Sequence, residues 1–138
     1  MEYLLNLFNG NWVDETTRLP NKDFFNHIYP LIKESKTPFY LIYLDLEFES
    51  TDINEINFVI ARIASIIKHS VRIPKDFVCR SSEKSFVLIL HGINEIVAKQ
   101  IANRIKDSLD YLLLNYGNKN IKVETNIKIE AVGGAPSE

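Results

Sequence analysis

Several things are scarce in this sequence at once. Its 138 residues hold a single cysteine, Cys79, so no internal disulfide can form. One thiol with three scattered histidines, His27, His69 and His91, does not supply the spaced ligands of a zinc site. Such cysteine usage fits a reducing compartment, and the cytoplasm is the expected setting. Neither sign of charge is in excess: 16 basic against 18 acidic residues leave a net charge of -2. Without a basic field there is nothing to draw in a nucleic acid, and no nucleic-acid partner is expected. No apolar run approaches the ~18 residues of a membrane span, and Met1 to Phe8 holds an acidic residue and too few apolar ones for a signal-peptide core. No membrane partner is expected either. Internal repeats and low-complexity tracts are also lacking.

What remains is the material of one globular core, with 46% hydrophobic and 25% charged residues in a chain of ordinary domain length. Residues 1–12 read as a lead-in segment, amphipathic over Met1 to Phe8, and 13–132 as the domain. The final Gly133-Gly134-Ala135-Pro136-Ser137-Glu138 reads as a flexible tail. Asn21 is a good N-cap for a helix carrying Phe24, Phe25, Ile28, Leu31 and Ile32, expected to run to about Lys36. Phe39 to Leu46 is a nearly continuous apolar run of strand length, as a strand buried on both faces requires. Val59, Ile60, Ile63, Ala64 and Ile67 form a stripe of helical period. Phe77 to Arg80 and Phe86 to His91 read as strands around a polar turn, Ser81 to Ser85. Val97, Ile101, Ile105, Leu109 and Leu112 mark a third helix, expected to continue to Gly117. Alternation over Ile121 to Ile129 marks a last strand with one wet face.

Three stretches carry a family resemblance. Asp14-Glu15-Thr16-Thr17-Arg18-Leu19-Pro20-Asn21-Lys22 resembles D-x-L-T-G-L-P-N-R, Leu44-Asp45-Leu46-Glu47 resembles a strand-end D-[IL]-D, and Asp76-Phe77-Val78-Cys79-Arg80 resembles D-x-x-x-R. In this order they resemble the GGDEF, or diguanylate cyclase, family. The resemblance implies an α/β sandwich of the nucleotidyl cyclase type, with a central, mostly antiparallel sheet of about four to five strands flanked by helices. Fold by itself says nothing about activity.

The signature of that family, R-x-G-G-[DE]-E-F, is replaced here by Arg80-Ser81-Ser82-Glu83-Lys84-Ser85-Phe86. Ser82 and Glu83 stand where glycines let backbone approach a triphosphate. Lys84 stands where the resemblance implies a carboxylate holding Mg²⁺, and a cation cannot ligate one. Ser85 replaces the second acid. Asp45 persists as the relic of the other implied metal ligand, so neither a metal nor another cofactor is expected. The segment after the strand, Glu47 to Asn57, is shorter than the family's guanine-reading stretch, with Asp52 and Asn57 as its nearest relics. No stretch here resembles the family's closing phosphate-holding helix, which is expected to be missing. No catalytic residues are therefore assigned, and the chain is expected not to be an enzyme.

Many members of the family bind the product, cyclic di-GMP, at an R-x-x-D ahead of the signature. Asp76 matches the acid, but Ile73 occupies the arginine position and Arg72 lies one residue earlier. Arg72, Asp76 and Arg80 are the candidate relic of such a site. Three functions follow: a regulatory module that binds a protein, which is the favoured reading; a non-catalytic cyclic di-GMP receptor; and a cyclase using Asp45 with Glu83 as displaced metal ligand. The last would work as a homodimer, as active members do. The histidines read as surface or capping residues, Cys79 as a small buried hydrophobe, and Trp12 as an anchor for the leading segment.

Overall fold

The computed structural model describes residues 12–71 and 76–134. In chain order the elements are α1 (Lys22–Lys33), β1 (Pro38–Glu47), α2 (Ile53–Lys68), β2 (Phe77–Ser82), β3 (Ser85–His91), α3 (Glu95–Asp110), β4 (Leu114–Tyr116), β5 (Lys119–Ile121) and β6 (Glu124–Gly133). The apolar run of β1 lies inside a four-stranded sheet of order β2-β3-β1-β6, every pairing antiparallel. β1 reads as continuously apolar because both of its faces are covered. Ile42, Leu44 and Leu46 face the larger core, with Ile56, Val59, Ile60 and Ile63 of α2 and Ile101 and Ile105 of α3. Leu41 faces the smaller core with Val87, Ile89 and Cys79, against Phe24, Phe25 and Ile28 of α1. The sheet is thus sandwiched between two helices and one, the architecture expected.

Side-chain caps fix where the helices begin. Asn21 accepts from Phe24 N at 3.0 Å, Asp52 from Asn54 N at 2.9 Å and Asn94 from Val97 N at 2.9 Å, satisfying amides that have no partner within the first turn. α1 stops at Lys33, short of the expected Lys36, as Glu34 and Ser35 close it with bonds to Pro30 and Ile32 carbonyls.

Besides the start of the last strand, which lies at Glu124 because Ile121 closes β5, two further expectations are corrected. The third helix does not continue to Gly117 but ends at Asp110, and β4 and β5 form a separate hairpin. Three consecutive leucines cannot share one helix face. Extended backbone instead buries Leu114 and leaves Leu113 at 88% exposure, while Gly117 turns the hairpin at φ +62°. The second concerns the glycines placed in the tail. Gly133 ends β6, and a Cβ there would lie 2.6 Å from the Ile32 carbonyl oxygen. Gly134 donates its amide to Ser35 O at 2.8 Å, so both glycines are packed against the end of α1. The amphipathic segment Met1 to Phe8 and the end of the tail, 135–138, lie outside the described residues.

Candidate functional site

The β2–β3 hairpin and the loop ahead of α1 are built as one unit. Asp14 accepts from Thr17 N at 2.9 Å and Thr17 Oγ1 at 2.8 Å, which folds the D-x-x-T stretch into a turn. The turn places Arg18 at φ +64°, a left-handed conformation unfavourable for a residue with a Cβ. Arg80 reaches it from β2. Its Nη1 donates to both Asp14 carboxylate oxygens at 3.0 and 3.2 Å, its Nη2 to Glu83 O at 2.8 Å and its Nε to Ser82 O at 3.2 Å. One guanidinium therefore holds the loop and the hairpin turn together. The Arg80 amide donates to Pro20 O at 2.8 Å, so the loop also covers part of the exposed edge of β2.

The turn is tighter than the sequence pattern implied. Ser82 pairs with Ser85, leaving Glu83 and Lys84 as the two turn residues, and a bulge falls between Arg80 and Ser82. Lys84 Nζ donates to Phe48 O at 2.9 Å and lies 4.4 Å from the centroid of the Phe48 ring. Ser85 sits opposite Asp45 in the β1–β3 register and donates its Oγ to Asp45 Oδ1 at 2.7 Å. The two positions at which the resemblance implies metal ligands, Asp45 and Lys84, are each engaged by a neighbour from their own fold.

Beside this turn opens a cleft of about 710 Å³, whose lining includes Phe48, Lys84, Lys119, Lys122 and Glu124. Lys119, from the β5 strand, pairs with the buried Glu55 at 2.8 Å. The Lys119 ammonium, and next a hydrogen bond from Ser50, hold the Glu55 carboxyl below the usual carboxylate range. Lys84 and Lys119 are thus each bonded to the protein itself, and the cleft carries both signs of charge. Among the described residues no group of three or more His, Cys, Asp or Glu is placed to hold a metal ion.

The remaining candidates are dispersed. Asp76 is buried at 2% exposure just before β2, whereas Arg72 lies outside the described residues. Arg80 is committed to Asp14, a partner 66 residues away that no spacing in the sequence could reveal. Asp52 caps α2. Phe48, Glu55 and Lys119 were not singled out in the sequence; the reach of the Lys84 ammonium to the Phe48 carbonyl and ring is what brings Phe48 into the site. His69 caps the end of α2 and His91 stacks on Phe39. Burial pushes the Cys79 thiol up to about 12.

A core sheet sandwiched in this way and a β-hairpin opposite a strand-end carboxylate define the class. The chain belongs to the GGDEF family, described as diguanylate cyclase, GGDEF domain, whose model matches residues 11–136. Among solved structures it is similar to the FimX GGDEF domain from Pseudomonas aeruginosa, at 13% identity and TM-score 0.74 over 93% of this chain and 84% of that one. It is also similar to the coiled coil and GGDEF domain of DgcB from Caulobacter crescentus, solved with c-di-GMP, at 19% identity, TM-score 0.69, 94% and 74%. A third is the diguanylate cyclase SiaD from Pseudomonas aeruginosa, solved with its activator SiaC, at 18% identity and TM-score 0.69; the match takes in 94% of this chain and 53% of SiaD. At these identities the likeness is one of fold. No curated protein matches the chain. Among the described residues no helix is long and apolar enough to cross a membrane.

Proposed function

We propose that this domain is a non-catalytic member of its family, a regulatory module in cyclic di-GMP signalling that acts by binding a protein. The observation that carries the reading is Lys84. Its ammonium is held 2.9 Å from Phe48 O and over the Phe48 ring, at a position where the family resemblance implies a carboxylate for Mg²⁺. A fixed cation there opposes a divalent ion and offers it no oxygen. The residues present therefore do not fit the metal. Asp45 alone, already bonded to Ser85, is a poor cage for an ion usually shared between carboxylates and substrate phosphates. Ser82 and Glu83 add bulk and negative charge where phosphate would approach. A protein as the binding partner is supported by SiaD, which has been solved with an activator protein.

The test is incubation of the purified chain with GTP and Mg²⁺, with chromatographic detection of cyclic di-GMP. No product is expected, either from the chain itself or from Glu83→Gly/Lys84→Asp/Ser85→Glu. Product from the unmodified chain would overturn the reading. Product from the triple variant alone would show that the short guanine segment is no obstacle.

The second reading, a cyclic di-GMP receptor, draws on DgcB, solved with c-di-GMP, and on Asp76 standing ahead of β2. The engagement of Arg80 by Asp14 speaks against it. Calorimetric titration separates the two: micromolar binding, about -8 kcal/mol, makes the chain a receptor, and absence of heat leaves the protein-binding module. Because Asp76 is buried, Asp76→Asn with a check of folding is the control, in preference to Asp76→Ala.

A further inference from the structure

The two edges of the main sheet differ. β2 is bulged between Arg80 and Ser82, and Pro20 O of the loop ahead of α1 accepts from its Arg80 amide. β6 is the other edge, and it pairs with β1 in unbroken register from Glu124 to Gly133. Bulges and covering segments keep a sheet edge from pairing with another chain. Among the described residues β6 has neither.

Strand alternation decides which backbone groups β6 offers. Leu46 N donates to Lys84 O beside β3, so the alternate residues Phe39, Leu41, Tyr43 and Asp45 turn their backbone groups to β6. Their partners there, Val132, Glu130, Lys128 and Asn126, are thereby bonded. Thr125, Ile127, Ile129 and Ala131 direct N–H and C=O away from the sheet. The Lys106 ammonium of α3 reaches Thr125 O at 3.4 Å, in keeping with that direction. No described residue bonds the outward groups of Ile127, Ile129 or Ala131.

The charges along β6 point to the occupant. Glu130 accepts from the Tyr43 hydroxyl at 2.8 Å and the Tyr29 hydroxyl at 3.4 Å, yet among the described residues it meets no cation and Lys128 meets no anion. In a two-fold antiparallel pairing of β6 with itself, outward-directed residues must oppose one another, so the axis passes beside a residue that faces its own copy. Centred on Ile127, the pairing sets Glu124 against Glu130; centred on Lys128, it sets lysine against lysine. Like charges placed directly opposite destabilise a sheet. Centred on Asn126, it opposes Glu124 to Lys128 but uses only that short stretch of the strand. Centred on Ile129, it sets each Lys128 against Glu130 of the second copy and each Ile127 against Ala131, and it takes the strand from Thr125 to Gly133. Ile127 and Ile129, half-buried against the larger core, are then covered across the junction. We propose that β6 pairs in this register with β6 of a second copy of the chain, joining two four-stranded sheets into one.

The experiment is sedimentation velocity of the full chain across the micromolar range, with amide hydrogen exchange at each concentration. A concentration-dependent dimer is expected, with exchange slowed at Ile127, Ile129 and Ala131 as it forms. Lys128→Glu and Glu130→Lys, each checked for folding by circular dichroism, are expected to be monomers alone and to form a dimer when mixed, because mixing restores opposite charges at both pairs. Ala131→Pro removes an outward N–H and no bond to β1. It is expected to weaken the dimer by about tenfold, one hydrogen bond being lost at each of the two symmetric positions, and with Lys128→Glu it decides the matter should Glu130→Lys not fold. A monomer at every concentration overturns the proposal, as does a dimer that neither Lys128→Glu nor Ala131→Pro weakens. Folded charge variants that stay monomeric when mixed overturn the register and the proposal with it.

Discussion

Arg80→Ala removes a side chain that joins the loop ahead of α1 to the β2–β3 hairpin, and the structure sets its cost. Four hydrogen bonds go, two to the Asp14 carboxylate and one each to the Ser82 and Glu83 carbonyls. The Arg80 and Asp14 side chains are 11% and 20% exposed, so the pair is largely desolvated. Removing one partner of a buried pair costs about 3–5 kcal/mol. Asp14 keeps both Thr17 bonds and some contact with water, which puts the expectation at the low end, about 3 kcal/mol. For a chain of this size that lowers Tm by about 10 °C. Urea unfolding followed by circular dichroism measures it, with an unchanged m-value as the sign that only stability has moved. Arg80→Lys keeps the charge but loses the two-pronged geometry and is expected to recover less than half of the loss. A cycle with Asp14→Ala is expected to give a coupling of about 2 kcal/mol. A loss below about 1 kcal/mol for Arg80→Ala, or an additive cycle, refutes the joint as described.

Three further outcomes are expected. Arg18→Gly relieves a left-handed residue at φ +64° and is expected to raise the unfolding free energy by about 1 kcal/mol, against the small loss that an added glycine brings elsewhere. Thr125 Oγ1 is buried without a hydrogen-bond partner among the described residues, so Thr125→Val is expected to be neutral or stabilising by about 1 kcal/mol in the same urea assay; a loss would reveal an unrecognised partner. Cys79 is fully buried with its thiol raised to about 12. At pH 8 it is expected to react with a disulfide reagent only through unfolding, at a rate that urea increases. The unfolded thiol ionises near its ordinary value of 9.0 while the folded one keeps its proton. The unfolded state thus binds fewer protons as pH rises from about 9 to about 12, and stability falls across that window; Cys79→Ser is expected to flatten the fall.

The sequence by itself determined the elements that depend on local pattern. The run Phe39 to Leu46 announced a strand covered on both faces, and it lies inside the sheet. The stripe from Val59 to Ile67 announced α2, and Asn21 announced the start of α1. The family was legible too, since Asp14, Asp45, Asp76 and Arg80 sit in recognisable short motifs. Tertiary structure alone decided the rest. Tyr111 to Tyr116 could extend a helix on local grounds, and only the need to bury Leu114 and Ile121 in the shared core turned it into a hairpin. Gly133 and Gly134 look like linker until the approach of the Ile32 carbonyl to the first and of Pro38 to the second requires them. Arg80 and Asp14, Lys84 and Phe48, and Glu55 and Lys119 lie far apart in the chain. Local patterning reports which way a side chain faces; which charge it meets there is set by where distant segments are brought, and that depends on the packing of the whole core.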